Sequence, residues 1–133
     1  MLVWEGSPFE VASNRRLVAV RAGRRAKQVQ RSTYKKASAS MAEAFAAGWD
    51  AEPLSGPVVV EVRSYWQRRH RQGAAAGLAM GDVDAPAKSV LDALQAAGVL
   101  DDDASVRRLI CEKDVDKDRP RIEVEVRLVE GDQ

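Results

Sequence analysis

Two acidic clusters are the part of this sequence best equipped for chemistry. Asp82-Val83-Asp84 comes first, and Asp101-Asp102-Asp103 follows after a helix-forming run. In an extended segment residues two apart point the same way, so Asp82 and Asp84 can converge their carboxylates. Hard cations such as Mg²⁺ take oxygen ligands and keep several waters, so two or three carboxylates suffice to hold one. Metal held in this way suits phosphodiester hydrolysis, which needs a hydroxide near neutral pH and charge relief on the leaving oxygen. The plainer readings are that Asp84 caps a helix N-terminus and that Asp101–Asp103 is a solvated turn. An EF-hand loop does not fit, because its glycine and its spaced glutamate are missing around Asp101. Between the clusters, Asp84, Lys88 and Asp92 are spaced i, i+4, i+8 and share a helical face away from the apolar stripe. That set is either ordinary ion pairing on an exposed helix or a placement of Lys88 beside the carboxylates, against the scissile phosphate or a developing charge.

Cationic residues concentrate elsewhere. Residues 1–71 hold thirteen Lys/Arg against six Asp/Glu, and residues 72–133 hold eight against fourteen, a balance of +7 facing one of −6. The split reads either as a basic binding surface feeding an acidic site or as a chance arrangement of solvated faces. Arg24, Arg25, Lys27, Arg68, Arg69 and Arg71 are candidates for phosphate contacts by charge alone. His70 is the single histidine, and beside a metal general-base work can fall to water instead. Trp4, Trp49 and Trp66 read as core or interface anchors rather than base-stacking platforms. Cys111 reads as a small core residue, and a single cysteine excludes an internal disulfide and a thiolate zinc site.

The elements that must position these groups follow from periodicity. With 133 residues, 45% of them apolar and 31% charged, the chain is expected to be one α+β domain over 1–133. No apolar run is long enough for a membrane span, and MLVWEGSPFE does not read as a secretion signal, so a reducing cytoplasm is the expected setting. Strands are expected near Leu2–Glu5, Arg16–Arg21 and Val58–Trp66, the last central because of its β-branched run. Amphipathic helices are expected over Ser32–Gly48 and Asp84–Ala97, the second closed by Gly98. Residues 67–81, Arg-rich and then Ala/Gly-rich, have nothing large to bury and read as a mobile basic loop. Two closing strands, Val106–Lys113 and Arg121–Val129, are expected to form a hairpin about Asp114–Arg119. The sheet is therefore small and mixed or mostly antiparallel, with two main helices.

The run Asp82-Val83-Asp84-Ala85-Pro86-Ala87-Lys88-Ser89-Val90-Leu91-Asp92-Ala93-Leu94, followed by Ala97-Gly98-Val99-Leu100-Asp101-Asp102-Asp103-Ala104-Ser105-Val106, resembles the core of the RusA family of Holliday junction resolvases. That core reads D-x-D-N-x-x-K-x-x-x-D-A-L, then a glycine, a few apolar residues and D-D-x-x-V. Ala12-Ser13-Asn14-Arg15-Arg16 resembles the family's N-terminal Pro-Ser-x-Asn-Arg segment, and Tyr34 matches a tyrosine opening the first helix. Two departures stand out: Ala85 replaces the asparagine after Asp-x-Asp, and Glu10-Val11-Ala12 replaces a proline-rich loop.

The resemblance implies a metal-dependent endodeoxyribonuclease with Asp82, Asp84 and Asp103 as metal ligands and Asp102 as an auxiliary carboxylate. It makes Lys88 the catalytic or phosphate-contacting cation and places Asn14, Arg15 and Arg16 on DNA. It further implies Mg²⁺ as cofactor with Mn²⁺ as a substitute, a four-way junction or other branched DNA as partner, a homodimer, no membrane, and a phage or prophage origin in a bacterial host. A two-fold dimer suits a two-fold junction that needs two nicks. The competing expectations are a nuclease of the same fold acting on forks or flaps, a catalytically silent DNA-binding relative, and a dimerisation module.

Overall fold

The computed structural model describes residues 1–12, 17–22, 25–30 and 32–129, the two short segments by backbone alone. In chain order the elements are β1 (Leu2–Glu5), a 3₁₀ turn (Pro8–Val11), β2 (Leu17–Ala22), β3 (Arg25–Gln30), α1 (Ser32–Ala47), β4 (Val58–Trp66), α2 (Ala87–Ala96), a second 3₁₀ turn (Asp103–Ser105), β5 (Val106–Val115) and β6 (Arg121–Leu128). This is the expected α+β architecture with a mixed sheet.

The valine run sets the centre. β4 lies between β6 and β5 in a four-stranded sheet ordered β1-β6-β4-β5. Its neighbour β6 is antiparallel and β5 is parallel, while β1 joins the far side of β6 antiparallel. β4 and β5 are connected through α2, and a strand reached through such a crossover returns in the same direction. The expected hairpin of the two closing strands does not form: β5 and β6 flank β4 and never pair. The polar residues after β5 bridge the end of β4, where the Asp116 N–H donates to the Trp66 carbonyl at 2.9 Å. A charged run between two strands looks the same whether it turns back or steps over a neighbour.

One face of β4 turns Val58, Val60 and Val62 towards the helices, where they pack with Met41, Phe45, Val90, Leu94, Ile122 and Val124 in one buried cluster. The other face carries charge in pairs. Arg63 sits 3.3 Å from Glu125, Arg121 sits 2.9 Å from Glu123, and the Arg121 guanidinium lies 3.8 Å from the Tyr65 ring centre. The alternation read along β6 is therefore real at Ile122 and Val124, while Leu128 at the strand's end is exposed. β2 and β3 pair as a separate antiparallel hairpin. Its second strand, RAKQVQ, escapes sequence reading because only Val29 in it is β-branched.

Two details of packing fix α2, the helix between the acidic clusters. Tyr34 and Ser89, 4% and 3% exposed, share a 2.8 Å hydrogen bond, and Ser89 Oγ donates to the Val11 carbonyl at 2.7 Å. With the serine proton committed to Val11, the tyrosine hydroxyl donates to Ser89. That relay ties α1, α2 and the first 3₁₀ turn together. At the other end, Gly98 takes φ +78°, Val99 N–H returns to Leu94 O at 3.0 Å and Gly98 N–H to Gln95 O at 3.2 Å, a Schellman closure. Among the described residues no helix is long and apolar enough to cross a membrane.

Candidate active site

The connection from β4 to α2 carries the first acidic cluster. It leaves the sheet at Trp66, runs through the arginines and comes back to Asp82. Its composition offers nothing large to bury, yet it is a backbone-paired hairpin rather than a plain loop. Met80 N–H donates to Arg68 O at 3.0 Å, and His70 N–H donates to Leu78 O and Gly77 N–H to His70 O, each at 2.8 Å. Ala79 opposite Arg69 is buried beside Trp66. At the hairpin's end Gly81 lies against the Trp66 indole so closely that a Cβ would stand 2.0 Å from the ring. Only glycine fits there. Lys113 of β5 donates to the carbonyls of Ala79 and Gly81 on either side of Met80.

From Gly81 the chain passes through two successive turns. Ala85 N–H bonds Asp82 O at 3.1 Å and Ala87 N–H bonds Asp84 O at 3.0 Å. Two expectations fall here. The Asp82–Asp84 segment is not a continuous extended stretch, since Val83 and Asp84 lie inside the first turn, and α2 begins at Ala87 with Pro86, not Asp84, as its N-cap. Backbone ahead of a proline avoids the helical region, so the helix stops short of Ala85. Relieved of capping, the Asp84 carboxylate lies near enough to Cys111 to act on it: burial first, then the Asp84 charge, pushes that thiol's pKa up. Asp82 and Asp84 are exposed, and neither has an ion-pair partner among the described residues.

The second cluster doubles back along α2. Asp103 N–H donates to Gln95 Oε1 at 3.3 Å, and the Asp102 carboxylate accepts from Ala104 N–H at 3.0 Å, capping the 3₁₀ turn. Lys88 joins the two halves of the motif. Its Nζ lies 3.0 Å from Asp92 Oδ1 and 3.3 Å from Asp103 Oδ2. The i,i+4 partner on the helix is thus Asp92; Asp84, outside the helix, is replaced by Asp103. Lys88 holds the Asp103 carboxyl below the usual carboxylate range, with the contact to Asp102 adding to the effect. Asp92 and Asp103 in turn raise the Lys88 pKa. Among the described residues no three of Asp, Glu, His and Cys gather as a ready-made metal cage.

Two concavities flank the hairpin's base, and one of them reaches Asp82. One, about 500 Å³, is lined by Phe9, Trp66, Arg68, Met80 and Asp82 among others; Phe9 and Met80 are 46% and 48% exposed. The other, about 930 Å³, gathers Arg68, Arg69, His70, Arg71 and Lys117. The hairpin arginines proposed by charge do share one cleft, and Lys117, from the β5–β6 crossover, joins them with no sequence signal of its own. Arg25 and Lys27 lie on β3, while Asn14, Arg15, Arg16 and Arg24 fall outside the described residues. Trp4 and Trp66 are buried as expected of anchors, and Trp49 packs part-buried at the core's edge with its Nε1 on Glu52 O.

The sequence model of the family described as Endodeoxyribonuclease RusA matches residues 8–127 of this chain. The chain belongs to the RusA family. A search of curated proteins returned no match. Membership implies an endonuclease for branched DNA, the Holliday junction in particular. The matched span contains both acidic clusters, Lys88, the arginine hairpin and the strands that carry them. Within this RusA-type chain sequence reading missed the contacts of Trp66 and Lys113 with Gly81, the residue ahead of Asp82. The glycine ahead of Asp-x-Asp was the one available signal.

Proposed function

We propose that this protein is a metal-dependent endonuclease that resolves Holliday junctions, working as a homodimer that places two equivalent sites on opposing strands. The observation that carries this is Lys88, whose ammonium brings Asp103 of the second cluster to the helix that starts at the first. Asp82, Asp84 and Asp103 would hold Mg²⁺, or Mn²⁺ in its place, with Asp102 in support. The donor chemistry fits such an ion: the carboxylates are solvent-accessible and no imidazole or thiolate is needed. Since no three of them gather among the described residues, one or two would hold Mg²⁺ directly, with water and substrate phosphate filling the rest, as is common for this ion. A cation bound there supplies a water acidified towards neutral pH and charge relief at the phosphate.

The chain's own groups do the remainder. Lys88 lowers the Asp103 pKa further below that of a free carboxyl, favouring the anionic form that a metal ligand needs. The Lys88 ammonium, exposed and fixed between two carboxylates, is in place to meet the charge that grows on a phosphate oxygen. Arg68, Arg69, Arg71 and Lys117 bind backbone phosphates without reading sequence, joined by Asn14, Arg15, Arg16, Arg24, Arg25 and Lys27.

The test is nicking of a synthetic four-way junction in Mg²⁺, beside linear duplex, fork and flap controls, with Asp82→Asn and Asp103→Asn. Both variants should bind the junction and fail to cut it, since asparagine keeps shape but loses the charge that holds the metal. Faster cutting of the fork or flap would move the preferred substrate to other branched DNA. A junction bound by wild type and never cut in either metal would leave a DNA-binding relative without nuclease activity.

A further inference from the structure

We infer that Lys113 is a positioning residue for Asp82, clamping the peptide group that carries it; the inference rests on the reading of Asp82 as a metal ligand. Lys113 Nζ donates to the Ala79 carbonyl at 3.0 Å and to the Gly81 carbonyl at 2.8 Å. The Gly81 oxygen and the Asp82 nitrogen belong to one planar, rigid peptide unit. Fixing that oxygen fixes the direction from which the chain enters Asp82, and leaves only the aspartate's own torsions to aim its carboxylate.

The clamp has a second member. The Trp66 indole leaves no room for a Cβ at Gly81. The indole is itself pinned, buried and donating from Nε1 to Ser64 Oγ at 2.9 Å. Ser64 and Lys113 are register partners on the parallel strands β4 and β5, so their side chains leave the same face of the sheet. Asp82 is therefore mounted on two hydrogen-bonded strands although it sits in a turn, and sites supported by regular elements are held more tightly than sites on loops. An ordinary surface lysine keeps its ammonium in water. This one is half-buried, has no carboxylate partner among the described residues, and directs two charge-assisted bonds at backbone flanking a single residue.

Lys113→Met keeps the stem and removes the donors, and Lys113→Arg restores charge and donors. With the full chain and Mn²⁺ as probe, electron paramagnetic resonance of free Mn²⁺ should show Lys113→Met binding the ion roughly ten- to hundredfold more weakly. Single-turnover nicking at saturating DNA should fall by roughly a hundredfold at fixed Mn²⁺, and much of that loss should be recovered by adding metal. Junction affinity in metal-free buffer should stay within about twofold, because the phosphate-binding arginines are untouched. Lys113→Arg should recover part of both losses. Amide exchange at Met80, bonded to Arg68 O, should stay slow, showing the hairpin closed and only the Asp82 peptide released.

Mn²⁺ affinity equal to wild type in Lys113→Met overturns the inference, and so does a loss that appears only together with fast exchange at Met80. Should Lys113→Met not fold, Gly81→Ala displaces the same peptide from the Trp66 side and must weaken Mn²⁺ binding likewise; unchanged binding again overturns it. A wild-type chain that neither binds Mn²⁺ nor nicks a junction defeats both readings. A wild type that does both, matched by Lys113→Met, defeats the clamp alone.

Discussion

Lys88 holds two aspartates at once, and its removal separates a surface ion pair from a catalytic cation. As an exposed pair alone it would be worth little, and Lys88→Ala would leave the rate nearly intact. As the group that meets growing phosphate charge, its loss should lower single-turnover nicking by roughly a hundredfold or more while junction binding changes far less. A stable Lys88→Ala protein that cuts within about threefold of wild type would return it to the surface, by the scale expected of a preorganised contact. The variant has a second readout. Lys88 is the main cause of the lowered Asp103 pKa, so in Lys88→Ala the Asp103 carboxyl should titrate higher, measured by carboxyl-carbon NMR. The sign is that of a depressed acid: the pair's contribution is present above the unfolded carboxylate value and is lost as pH falls through the folded one. At this scale the types and order of Asp82, Asp84, Lys88 and Asp103 were legible because chemistry constrains them directly. Lys113 was not, because its partners are backbone carbonyls 34 and 32 residues away, which any sequence supplies.

At the scale of elements, α2 shows which boundaries a sequence announces. Its end was readable: only glycine takes φ +78° without strain, and Gly98 stands where the Schellman closure needs it. A Cβ there would meet nothing within 4 Å, so Gly98→Ala isolates the backbone term. It should destabilise the fold by about 1–2 kcal/mol in urea unfolding, the cost of left-handed backbone for an L-residue; no change would mean the closure relaxes to another geometry. The start was misread because an aspartate two residues ahead of a proline suits a cap and a turn equally, and here the turn won. The arginine hairpin was hidden for a related reason. Its pairing is main-chain to main-chain, so the Ala/Gly tract gave no periodic signal of it.

Across the whole molecule, the charge split seen along the chain becomes a juxtaposition. A cleft of arginines and Lys117 shares Arg68 and Met80 with the smaller hollow that reaches Asp82. Replacing Arg68, Arg69 and Arg71 together with alanine should weaken binding to junction and duplex alike. It should also flatten the salt dependence, by about 0.9 in the log–log slope for each duplex phosphate that is no longer neutralised. Anisotropy titrations across salt decide it, and an unchanged slope would turn the cleft to solvent. The mixed α+β character was legible from the alternation of helical and strand periodicity. The strand order was not, since nothing in Asp114–Arg119 distinguishes a turn from a passage over the end of β4.

That passage also governs how the protein is made. β6 inserts between β1 and β4, so β1, made well before β6, waits for it to find the partner it pairs with. Until then β4 has an open edge and β1 has none to join, and unpaired edges of this kind invite association with other chains. Pairings so distant in sequence also slow folding. A product ending before Arg121 would keep Asp82, Asp84, Lys88, Asp102, Asp103 and Lys113, the groups proposed to take part in cutting, and would lack the strand that lets the sheet hold them.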